Sequence, residues 1–184
     1  MSQQPLRERV ANERRRLKSV RTALTVAVAQ GAKGDAGWVP FYAAIADYFD
    51  ASMHRLHIQD VRMGTMIRSK IGTIDAAAAR GLEELDARLA GNQRHLGLML
   101  EARDALRRDG VAALGRFETV ARDYTHYITT NMGHHGPSTD LAQRLFTIDD
   151  WSYMAGITDE ESRTEDTLYQ RVFAARPANL QLPD

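Results

Sequence analysis

The chain has 184 residues, with 24 Lys and Arg set against 24 Asp and Glu, six His and no Cys. Zero formal charge argues against a nucleic-acid footprint and against polybasic membrane attachment. The absence of cysteine removes disulfides, thiolate metal sites, iron–sulfur clusters and cysteine nucleophiles, and it suits a reducing, cytoplasmic setting. Residues 1–18 are polar and Arg-rich with no apolar run of a signal peptide, and no stretch of 18 apolar residues predicts a membrane span.

The pattern is helical nearly throughout. Leu6, Val10, Glu13, Leu17, Val20, Leu24 and Val28 recur at spacings of four and three, one face of a long first helix that ends among the glycines of 30–37. A second helix starts near Trp38 or Pro40, with the stripe Phe41, Ile45, Phe49, Met53, Leu56, Asp60, Met63 and Ile67, and closes at Ile71-Gly72-Thr73. The third is predicted from about Asp75 to Arg108, striped by Leu82, Leu85, Leu89, Asn92, Leu96, Met99 and Leu106, with Asp109-Gly110 as its stop. The fourth runs from about Val111 to Met132, striped by Leu114, Phe117, Ala121, Tyr124, Ile128 and Asn131, until Gly133, Gly136 and Pro137 disturb it. Shorter helices are expected over 138–146, 149–155 and 159–175, and then a loose tail. Long amphipathic helices on short connections predict an all-α, up-down-up-down four-helix bundle with extra short C-terminal helices.

The informative residues interrupt the apolar stripes. Glu13 sits between Val10 and Leu17, and Asp60 between Leu56 and Met63 with His57 one turn earlier. Asn92 lies on the third stripe with His95 beside it; Asn131 lies on the fourth, and His135 is its next step, with His134 as the alternative. Buried carboxylates need a cation or a donor. Carboxylates and imidazoles on facing helices can satisfy one another or hold a metal. Glu13 and His57 flank the first turn at about equal distances, which puts them at one height in an antiparallel pair. His54 and His126 fall on polar faces. Arg14-Arg15-Arg16 reads as a solvated face, and Met53, Met63, Met66 and Met99 read as core. Phosphate loops, an HExxH helix and a GxSxG elbow are absent from the sequence.

From Arg7 to Ala155 the chain resembles the hemerythrin-like (HHE) cation-binding family. The resemblance rests on Asn12 to Leu17, on Phe41 to His57 (FYAAIADYFDASMHRLH), on Arg94-His95, on Phe117 to His135, on Leu141 to Leu145 and on Asp149-Asp150-Trp151. It implies a bundle domain over 1–158, followed by a C-terminal helix and tail over 159–184. It also implies a non-haem metal centre used for dioxygen or small-molecule binding, or for metal or redox sensing. The family's usual di-iron ligands change here. Glu13 stands where the family has a His, Met53 and His57 align with one HxxxE motif, Asn131 and His135 align with the other, and His95 keeps the family residue. The remaining set, Glu13, His57, His95 and His135 with Asp60 nearby, implies a single non-haem ion, iron before zinc or manganese. Two other readings stand beside it. One is a non-haem metal-dependent enzyme at the same site. The other is a metal-free bundle whose polar layer sets helix register and which works by partner binding, with the helices after Ser138 as a homodimer surface.

Overall fold

The computed structural model describes residues 3–132 and 136–182. Among them the chain is all-α: α1 (Gln3–Gln30), α2 (Trp38–Lys70), α3 (Ala76–Asp109), α4 (Leu114–Asn131), α5 (Pro137–Leu145), α6 (Ile148–Met154) and α7 (Asp159–Ala174), with one 3-10 turn at Gly110–Ala113. No described helix is long and apolar enough to cross a membrane.

Local chemistry sets the ends. The Asp75 side chain accepts from the Ala78 amide and caps α3. Gly110 ends that helix at φ 58°, a left-handed conformation that glycine adopts without a Cβ penalty. Thr147 with Asp150, and Thr158 with Glu161, form capping boxes at the starts of α6 and α7. The α1–α2 connection is tied to α4, because the Glu118 carboxylate accepts from the Ala32 amide at 2.6 Å and from the Tyr42 hydroxyl at 3.0 Å.

Packing places α2 and α3 at the centre. α3 lies against α2, α4 and α5; α2 lies against α3 and α7; α1 packs chiefly on α4. The apolar interior is divided in two. A larger cluster gathers Leu24, Phe41, Phe49, Met53, Met99 and Phe117 with their neighbours. A smaller one gathers Met63, Ile67, Leu82, Leu85 and Leu141. On α2 the change from one cluster to the other falls between Leu56 and Met63, and on α3 between Leu89 and Leu96. Met53, Met63 and Met99 are core residues as expected, whereas Met66 is half-buried and belongs to neither cluster. The segment after α7 is not loose: Leu180 is buried in the larger cluster, and Asn179 bonds to Gln30 and Asp35 of the first helix and its connection.

Candidate functional site

Two of the polar residues that interrupt the stripes, Asp60 and Asn92, lie at this divide. On α2, His57 and Asp60 are half-buried. Facing them on α3 are Arg88 and Gln93: the Arg88 guanidinium meets Asp60 Oδ2 at 3.2 Å, and Gln93 Nε2 faces His57 Nε2 at 3.1 Å. Burial raises the Asp60 carboxyl above its ordinary range, and the Arg88 charge works against that rise. Burial lowers the His57 pKa, assisted by His54, while Asp60 opposes. The other ring nitrogen, Nδ1, is buried without a partner.

One turn along α3, Asn92 is buried and accepts a hydrogen bond from the Tyr124 hydroxyl of α4 at 2.6 Å. His95 stacks on Tyr127 with ring centres 4.6 Å apart and lies parallel to Tyr124 at 6.0 Å. Burial lowers its pKa as well, with Arg94 adding and Asp123 opposing. The Tyr127 hydroxyl donates to the Arg88 carbonyl at 2.9 Å. That approach needs Gly91, where a Cβ would collide with the Tyr127 ring and hydroxyl.

Glu13 belongs to a second group, where α1, α2 and α7 meet. Its carboxylate lies 3.2 Å from Arg55 and 3.3 Å from Arg9. Arg55 also grips Glu165 of α7 at two points, Nε to Oε1 at 2.5 Å and Nη2 to Oε2 at 3.2 Å. Arg55, Glu13 and Glu165 are all buried. Burial opposes the Arg55 charge, but the Glu165 hydrogen bonds and the two carboxylates outweigh it, so Arg55 holds its proton more firmly than usual. Burial raises Glu13 despite Arg55 and Arg9. Gln59 completes the group, accepting from Arg55 at 3.4 Å and donating to the Ala155 carbonyl at 3.3 Å.

The expected height of Glu13 is met within two residues, but the partner across α2 is Arg55 rather than His57. Glu13 therefore sits in an ion-pair cluster, Asp60 sits in a separate pair with Arg88, and His57 and His95 face α3 and α4 neighbours. Asn131, expected on the core stripe, is exposed and bonds back to the Tyr127 carbonyl. His54 and His126 are exposed as their faces predict. His135 and His134 lie outside the described residues. Among the described residues no three His, Asp or Glu side chains come together as a metal-holding group. Arg55, Gln59 and Glu165 escape the stripe analysis. The signal available for the first two is the run Tyr48, Ser52, Arg55 and Gln59, a second row on α2 at helical spacing.

No family model, curated protein or solved structure matches this chain.

Proposed function

We propose that α1 to α4 form an up-down-up-down four-helix bundle in which the polar layer fixes helix register, and that the protein works by binding a partner rather than by chemistry at that layer. The observation that carries this reading is pairing across helices. Glu13 and Glu165 meet Arg55, Asp60 meets Arg88, and Asn92 meets Tyr124. Buried polar pairs of this kind are a recognised means of selecting one register over its neighbours. The contact face is the exposed side of α6, whose Trp151 and Met154 are half-buried against the smaller cluster while Ile148 and Tyr153 stay exposed. Ile148 is 59% exposed and Tyr153 62% exposed, and the partner named by this reading is a second copy of the chain. Light scattering on the full chain should give a dimer, and an Ile148→Lys, Tyr153→Lys variant should give a monomer of unchanged helicity. A monomeric parent chain at high concentration defeats this assignment.

One observation favours a second reading, the hemerythrin-like metal centre. Glu13 and Asp60 do not suit a cation, since guanidinium groups already neutralise them. His57 does suit one: its Nδ1 is buried and unpartnered. A Cβ on Gly136 would stand 3.9 Å from the Arg88 guanidinium, beside the Asp60–Arg88 pair. A ligand at Nδ1 would need Gln93 to present its amide oxygen to Nε2–H. In this reading His57, His95 and His135 would hold one non-haem ion, iron before zinc or manganese. The bound ion would serve dioxygen or small-molecule binding, sensing, or a non-haem metal-dependent reaction. Elemental analysis decides between the two readings. One equivalent of metal that disappears in a His57→Ala, His95→Ala variant supports the metal centre. Sub-stoichiometric metal, unchanged in that variant, supports the register layer.

A further inference from the structure

α1 and α2 are joined by a short connection, yet their backbones approach each other sparingly, and α7 lies along the seam between them. From α1, Arg16 pairs with Asp166 and lies over the Tyr169 ring. From α2, Tyr48 packs edge-on against Tyr169 at 6.1 Å, and Arg55 grips Glu165. Both ends of the element are fastened to the same two helices or their connection. At the near end the Ala155 carbonyl accepts from Arg9 of α1 and Gln59 of α2, and the Gly156 carbonyl accepts from Arg62. At the far end Asn179 bonds to Gln30 and Asp35, and Leu180 is buried.

The fastening mixes polar contacts with apolar ones, since Leu168, Tyr169 and Phe173 are half-buried against the larger cluster. Of the α7 side chains, Glu165 and Val172 alone are fully buried. A helix that fully buries a single apolar side chain, Val172, and is held by a desolvated ion pair is a candidate for opening below the free energy of global unfolding. What it covers is a row on α2, one residue per turn: Tyr48, Ser52, Arg55 and Gln59, all buried. The Tyr48 hydroxyl in that row has no partner.

We propose that α7 is a strap that opens on its own over the α1–α2 seam, with the Arg55–Glu165 pair as its latch, baring the Tyr48–Gln59 row and with it a polar route towards the interior. The proposal shares the Arg55–Glu165 pair with the register reading above, but it needs neither a metal nor a second copy of the chain, and none of its contacts involves His57, His95 or Asn92.

The chain contains no cysteine, so a single introduced thiol reports on one place. Ser52→Cys puts it beneath the strap, and Ala102→Cys puts it in the α3 core away from the strap. In the full-length native protein the Ser52→Cys thiol should react with a soluble disulfide reagent at least tenfold faster than the Ala102→Cys thiol. Adding Glu165→Gln should speed labelling at Ser52→Cys by roughly tenfold to a hundredfold, the scale of losing a hydrogen bond to a charged group, and leave Ala102→Cys unchanged. Hydrogen exchange should place the amides of 159–174 in the same early-opening group. Equal labelling at the two thiols, or α7 amides as protected as those of α3, overturns the strap. If Glu165→Gln changes neither thiol, or accelerates both alike, the latch is overturned.

Discussion

Asn92 and Tyr124 share a 2.6 Å hydrogen bond in the middle of the core, at the level where one apolar cluster gives way to the other. Both side chains are buried, and burial raises the Tyr124 hydroxyl far above its ordinary titration range, so it acts as a permanent donor. Tyr124→Phe should cost about 1–3 kcal/mol, because the Asn92 amide oxygen is left without its donor. Asn92→Leu combined with Tyr124→Phe should cost less than the two single changes added together. Urea unfolding of the four members of that cycle measures the difference, and strict additivity would count against a coupled pair.

Arg55 carries two carboxylates, Glu13 and Glu165, from helices at opposite ends of the chain. Arg55→Met leaves both facing each other in a dry seam. A loss of about 3–5 kcal/mol is expected at neutral pH, the usual cost of stranding a buried partner. The loss should shrink as the pH falls, since the Glu13 carboxyl, raised by burial and now without Arg55, takes up its proton more readily in the folded chain than in the unfolded one. Removing both charges as well, with Glu13→Gln and Glu165→Gln, should return much of the stability. Chemical denaturation at pH 7 and pH 5 tests both statements, and a pH-independent loss would refute the charge argument.

Gly91 makes room for the Tyr127 hydroxyl on its way to the Arg88 carbonyl. In an open helix Gly→Ala gains up to about 1 kcal/mol of propensity. Here Gly91→Ala should instead destabilise by about 1–3 kcal/mol, the scale of overpacking a filled site. Gly91→Ala with Tyr127→Ala should be milder than the two single changes added together, because the collision is gone. A thermal melt of the three variants reads this out; a stabilised Gly91→Ala single variant would show that the ring moves aside freely.

Acid should act on this fold in two opposed windows. Burial holds His57 and His95 below their ordinary value of 6.5 in the folded chain. Above that value both states are neutral and the folded state has its full stability; below it the unfolded chain protonates first, and stability falls until the folded-state values are passed. Glu13 and Asp60 run the other way. Their raised values mean that the folded chain takes up protons before the unfolded chain does at about 4.5 and 3.8, so these sites add stability as the pH drops through that lower range. Urea midpoints measured from pH 7.5 to 4.5 should therefore decline first and then level. A His57→Gln, His95→Gln variant should lose much of the initial decline. If it declines as steeply as the parent chain, the two imidazoles are not the cause.

The helices were legible because their signals are local. Gly31 and Gly34 after the first helix, Asp75 before the third and Gly110 after it set boundaries that the structure keeps within a residue or two. Interruptions of the stripes at Glu13, Asp60 and Asn92 fall on buried or half-buried polar side chains, each in its own pairing. Their partners were not legible, for a geometric reason. α2 is covered on one side by α3 and on another by α7, so it has two buried rows, and a single 3.6-residue stripe describes one of them. Arg55 stands on the unread row, and a long charged side chain there looks like surface until a distant Glu165 arrives to meet it. Asn131 misled in the opposite way, because α4 ends at that residue and the last step of its stripe lies past the core.

The return of the chain end to the first connection also bears on synthesis. Gln30 and Asp35 await Asn179, and the seam between α1 and α2 awaits Glu165, so contacts spanning well over a hundred residues complete the first helical pair. Long-range closures of this kind come late in folding. On the ribosome the α1–α2 pair is therefore completed, and Arg55 leaves water, only once α7 and Asn179 have emerged. A nascent chain stalled before residue 159 should hold this pair in a looser, protease-sensitive state than the finished protein does.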